Sequence, residues 1–128
     1  MQTLITAGIE IRVETFYHYA ESDPANHEFI HSYRIVISNH NRFTVQLLRR
    51  KWLITDSFRD IKLVEGDGVV GRQPILYPGD TYEYVSGCNL QSPIGRMDGH
   101  YIFENKQTKK QFEVKIPVFQ LEAPEILN

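Results

Sequence analysis

A chain of 128 residues, 41% hydrophobic and 23% charged, has the size and composition of one globular domain able to fold without disulfides or structural metals. Fourteen Lys+Arg against sixteen Asp+Glu give a formal charge of −2, which argues against nucleic acid as a partner, because phosphate affinity needs concentrated positive charge. The lone cysteine, Cys88, excludes an intrachain disulfide, and no apolar run approaches the roughly 20 residues that span a bilayer, so the expectation is a cytoplasmic protein with no membrane insertion.

Along the chain, apolar and polar residues alternate with a period of two, the mark of strands with one dry and one wet face. The opening residues, Met1 to Ala7, carry neither the basic segment nor the apolar stretch of a signal peptide. In residues 9–13, Ile9, Ile11 and Val13 oppose Glu10 and Arg12. Residues 29–38 repeat the pattern through Phe29, His31, Tyr33, Ile35 and Ile37, and Asn39, His40 and Asn41 then supply a polar turn. The strand predicted over 43–55 changes phase. Val45 and Leu47 share one face, whereas Leu48, Trp52 and Ile54 share the other, so a β-bulge near Leu47 and Leu48 is expected, with Arg49, Arg50 and Lys51 as the wet part of a bent strand. Further strands are predicted over 60–64, 81–86, 99–103 and 111–119. Turns are predicted at 77–80, 92–95, 97–99 and 105–108, where Gly, Pro, Asn or Asp gather. Pro117 implies an edge position or a bulge in the last strand, because proline donates nothing to a ladder. No window of a dozen residues has helical periodicity. The fold class expected is all-β, an immunoglobulin/fibronectin III-like two-sheet sandwich of about seven to eight antiparallel strands, formed as one domain over residues 1–128.

Residues Gly66, Gly68 and Gly71 stand in the Gly-x-Gly-x-x-Gly spacing of dinucleotide-binding loops. That motif works by delivering a pyrophosphate to a helix N-terminus. Pro74 and the Pro78-Gly79 pair interrupt any following helix, so a glycine-rich connection between strands is the better reading, while a nest of backbone amides could still hold an anion. His27 and His31 would share a metal on a helix, but on a strand they stand about 13 Å apart, too far for one ion. Cys88 has no histidine near it in sequence and is expected to be a small buried hydrophobe. Asp56, Asp60, Glu65, Asp67 and Asp80 show no spacing that singles out an acid–base pair, and they fit solvated strand ends. Arg49, Arg50 and Lys51 beside Trp52 could grip phosphate, although Trp52 is more simply a core residue with the cations lining the other face. No catalytic centre is recognised.

Five stretches in order resemble the ApaG family: residues 45–56 (VQLLRRKWLITD), 64–74 (VEGDGVVGRQP), 78–87 (PGDTYEYVSG), 92–101 (SPIGRMDGHY) and 116–121 (IPVFQL). The similarity runs from about residue 9 to residue 124; residues 26–29 and 106–110 are individual to this chain. It implies a bacterial protein with a fibronectin III-like sandwich and a label linking it to cobalt and magnesium efflux. The similar domain in a eukaryotic F-box protein and in a DNA-polymerase-interacting protein implies a protein-binding role. The family offers no catalytic residues to carry over, and its glycine motif falls on Gly66, Gly68 and Gly71. The function expected is therefore a non-enzymatic interaction module without cofactor or metal site. Its protein partner would meet a surface at Arg49, Arg50 and Lys51 beside the glycine loop. The alternative is a small-ligand binder holding a nucleotide or pyrophosphate at Gly66, Gly68 and Gly71.

Overall fold

The alternation seen in the sequence becomes two antiparallel sheets in the computed structural model, which describes residues 1–56 and 60–124. Nine strands appear among these residues: β1 (Gln2–Thr6), β2 (Ile9–Tyr17), β3 (Phe29–Asn39), β4 (Val45–Asp56), β5 (Ile61–Asp67), β6 (Ile75–Leu76), β7 (Thr81–Leu90), β8 (Ile94–Asn105) and β9 (Gln111–Glu122), with one 3₁₀ turn at Pro24–Asn26. One sheet has the order β1-β2-β3-β7, and the other β5-β4-β8-β9, with β6 pairing β4. The all-β two-sheet sandwich is as expected. The strand count exceeds the expected seven to eight because β1 and β6 carry no alternation to announce them. All of β1 lies at the surface, and β6 is two residues long.

The dry faces meet in one cluster. Ile9, Ile11 and Val13 of β2 and Ile35 and Ile37 of β3 pack against Val45, Leu47 and Trp52 of β4, with Tyr101 and Phe103 of β8 and Phe119 and Leu121 of β9. Trp52 stands edge-on to both Tyr33 and Phe119, with ring centroids 5.6 and 5.9 Å away. Such tilted pairs add to the large area an aromatic side chain buries. β1 and β2 lie against β9 along one side of the sandwich. On the other side β5 and β7 are the edge strands of their sheets.

Two irregularities in strand pairing fall where the side-chain pattern requires them. The β4–β8 register shifts between Leu47 and Arg49, at the bulge predicted from the phase change, so Val45 and Leu47 before it and Trp52 after it all face inward. The β8–β9 register shifts between Met97 and Gly99, opposite the stretch that holds Pro117, and β9 is also an edge strand. Met97, Asp98 and Gly99 are not the turn expected from their composition, for they lie inside β8. Gly99 serves close approach instead. A Cβ there would stand 2.6 Å from the Lys51 carbonyl oxygen and 2.7 Å from the Trp52 ring. The expected strand over 60–64 extends to Asp67, and that over 81–86 extends to Leu90, which places Cys88 inside β7.

Gly99→Ala is therefore expected to lower the melting temperature by several degrees, since overpacking of this kind costs roughly 1–3 kcal/mol. Gly87→Ala, whose added carbon would have its nearest neighbour at 3.7 Å, is expected to stay within about 0.5 kcal/mol of the parent in the same thermal melts.

Candidate functional site

The two stretches singled out in the sequence, the cations of β4 and the glycine loop, are neighbours across one strand pair. Arg49 faces Asp67, Arg50 faces Gly66 and Lys51 faces Glu65. Beyond the bulge β4 alternates again, and the three cations do not form one wet patch. Arg49 and Lys51 are exposed, on the same side of the strand as Leu53. Arg50 shares the side of buried Trp52 and is only partly exposed. Its Nη1 donates to the carbonyl oxygens of Asp67 and Gly68, both at 3.0 Å. A Cβ on Gly66 would lie 2.9 Å from that same Nη1, so the glycine makes room for the guanidinium. On the outside, Arg49 Nη2 donates to Gln111 Oε1 at 3.1 Å and Lys51 Nζ lies 3.5 Å from Glu65 Oε1. These exposed contacts stabilise little.

The glycine loop is a small hairpin anchored to the core. Val69 and Arg72 exchange both backbone bonds, Val69 N–H to Arg72 O at 2.7 Å and Arg72 N–H to Val69 O at 3.0 Å. The two residues between them, Val70 and Gly71, have φ of 47° and 75°, as a two-residue hairpin turn of the primed kind demands. Gly68 has φ 59°, and a Cβ there would meet Arg72 O at 1.9 Å. Its own N–H donates to Leu48 O at 2.8 Å, at the bulge. Val69 is fully buried and pins the loop to the core. The amides of Gly68, Val69 and Arg72 thus point at backbone carbonyls, and β6 follows the loop where a phosphate-binding motif would have a helix.

The outer face of this sheet edge is apolar. Leu53 and Leu63 are direct cross-strand partners, 37% and 56% exposed, and Ile61 beside them is 66% exposed. A depression of about 680 Å³ is lined by Leu4, Leu53, Leu63, Ile116 and Val118, among others. A second, of about 390 Å³, adjoins it beneath Arg49, Lys51, Glu65, Asp67 and His100.

The model of the ApaG domain matches residues 19–105. This chain belongs to the ApaG family. It is 46% identical over 128 residues to Protein ApaG of Sinorhizobium fredii (strain NBRC 101917 / NGR234), an alignment that covers 100% of this chain and 98% of that protein. The crystal structure of an ApaA protein from Bordetella pertussis superposes with a TM-score of 0.87 at 39% identity, over 91% of this chain and 94% of that one. The C-terminal domain of wzt shares the fold alone, with a TM-score of 0.60 at 10% identity over 94% of this chain and 76% of that one.

The remaining candidates of the ApaG chain are placed as follows. His31 points inward and packs at a tilt against Tyr17 with ring centroids 5.1 Å apart, whereas His27 sits at the end of the 3₁₀ turn. Among the described residues no three His, Cys, Asp or Glu side chains gather at metal-binding separation. No helix of the described residues is long and apolar enough to cross a membrane. Asp56 is buried at the end of β4, where it accepts from Gln91 N–H at 2.6 Å and from the Ser92 hydroxyl, tying β4 to the β7–β8 turn. That tie was not evident in the sequence, since Asp56 and Ser92 lie far apart along the chain. Nor was the row of buried phenols. Tyr84 and Tyr101 hydroxyls meet at 2.5 Å, and burial raises both of them and Tyr33 above the ordinary range for a phenol.

Burial also pushes the Cys88 thiol up to about 11, against the lowering effect of the Lys62 ammonium and with a further push from the Asp56 carboxylate. The folded protein therefore holds the neutral thiol while the unfolded chain ionises it near 9.0. This contribution to stability is full below about pH 9 and is lost as pH rises toward about 11. Cys88→Ala is expected to flatten that first stretch of alkaline destabilisation in melts run across the range. In the glycine loop, Gly71→Ala is expected to cost about 1–2 kcal/mol for its left-handed backbone alone, and Gly68→Ala distinctly more, because the added carbon also meets Arg72 O. Urea unfolding of the two variants measures the difference.

Proposed function

We propose that this ApaG-family chain is a non-enzymatic, cytoplasmic protein-binding module whose contact surface is the outer face of the β4–β5 edge. The observation that carries the proposal is the exposed cross-strand pair Leu53 and Leu63 with Ile61, set on an open sheet edge and bordered by Arg49, Lys51 and Glu65. An apolar centre with a polar rim is the anatomy of a protein interface, and an edge strand offers unpaired backbone groups for recognition. Arg50 belongs to this surface only indirectly, through the loop carbonyls it holds. The link to cobalt and magnesium that the family resemblance brings would run through a bound transporter or regulator. The alternative, a nucleotide or pyrophosphate on the loop of Gly66, Gly68 and Gly71, draws less support because the Gly68, Val69 and Arg72 amides are already engaged.

The test compares affinity capture by the parent protein with capture by Leu63→Asp and by the pair Arg49→Ala and Lys51→Ala. These are surface changes, expected to alter stability by no more than about 0.5 kcal/mol. Proteins retained by the parent and lost from both variants at unchanged melting temperature are the expected result. An identical retained set would remove this surface from consideration.

A further inference from the structure

The open side of the sandwich, between the edge strands β5 and β7, contains a cleft of about 480 Å³. That lies within the range of small-molecule sites. Both sheets line it, and its walls differ sharply. Trp52, Ile54 and Val64 supply an apolar wall, whereas Arg50 and Lys62 supply two cations. Opposite them stand the Ser86 hydroxyl and the Tyr33 phenol. Among the described residues no carboxylate lies within ion-pair distance of Lys62 or Arg50. Every ion pair among those residues is formed by other cations. Among the described residues Arg50 bonds only through Nη1 and only to backbone oxygens. Two carbonyls and Gly66 hold this guanidinium at the loop end of β5, four residues along the strand from Lys62. A larger depression, beside the 3₁₀ turn, is lined by residues 26–30 and 89–91 and contains no lysine or arginine.

We propose that the cleft between β5 and β7 binds a small amphipathic organic acid, with its anionic head on Lys62 and its apolar body against Ile54, Val64 and Trp52, along the wall that leads from Lys62 toward Arg50. The site is separate from the outer face of the β4–β5 edge, because Lys62, Val64 and Arg50 lie on the inner side of the strands whose outer side carries Leu63 and Leu53. A ligand of this kind is fixed by two features together. The Lys62 ammonium, which meets no carboxylate among the described residues, requires a negative head, and the aromatic and aliphatic wall rewards an uncharged tail.

Trp52 is the single tryptophan of the chain and lines the cleft, so its emission reports occupancy directly. Octanoate, octanol and inorganic phosphate, which offer head and tail, tail alone and head alone, are titrated against the intact protein. Octanoate is expected to change the Trp52 emission saturably, with both partial probes at least about tenfold weaker, the worth of one charge-assisted bond or of a few buried methylenes. Lys62→Gln is expected to weaken octanoate about three- to tenfold while leaving the melting temperature of the free protein unchanged, because Lys62 is exposed and holds no partner carboxylate among the described residues. The absence of a saturable response, an octanol or phosphate affinity equal to that of octanoate, or a Lys62→Gln variant that binds like the parent would each overturn the proposal.

Discussion

One extra residue in β4, at the shift between Leu47 and Arg49, sets the phase on which much of this molecule depends. Without it, the side of the strand that carries Val45 and Leu47 would carry Arg49 and Lys51 into the core and turn Trp52 outward. With it, Trp52 reaches the centre of the sandwich and meets Tyr33 and Phe119 edge-on. The same shift leaves the Leu48 carbonyl outside the regular ladder, where it accepts from Gly68 N–H and from Gln73 Nε2. The glycine loop is thus built onto the irregularity, and Arg50, turned inward by the same phase, binds the loop from the other side.

This arrangement explains why the glycines occupy the spacing of a nucleotide motif without its surroundings. Gly66 gives space to a guanidinium, Gly68 avoids a carbonyl, and Gly71 completes a left-handed turn with Val70. Each glycine answers a separate local demand. A β-branched residue at φ 47° is a costly conformation. The exchange of backbone bonds between Val69 and Arg72, together with the burial of Val69, holds Val70 in it.

Much of this was legible from alternation alone. Ile9, Ile11 and Val13, the run from Phe29 to Ile37 and the β4 bulge follow from which side chains must be dry, and the irregularity at Pro117 follows from the donor that proline lacks. The failures have physical causes. Residues 2–6 make β1 without a buried side, so no period marks them. Gly99 looks like a turn residue but answers to the Trp52 ring above it. The inward turn of Arg50 was available from parity, two residues before Trp52, but a basic triplet draws attention to its charge and not to its phase. The pairing of Asp56 with Ser92 and the meeting of Tyr84 with Tyr101 arise only when distant strands come together, which no local pattern encodes.

The proline of β9 has a consequence for how the five-stranded sheet can grow. At that edge Pro117 withholds a donor, the register slips, and β1 and β2 lie alongside. At the opposite edge β5 offers a regular strand. A chain that adds a strand to β5 therefore extends the sheet in one direction, and the far end terminates it. The two edges of this sheet differ, and the β5 edge is the one regular enough to receive a partner strand.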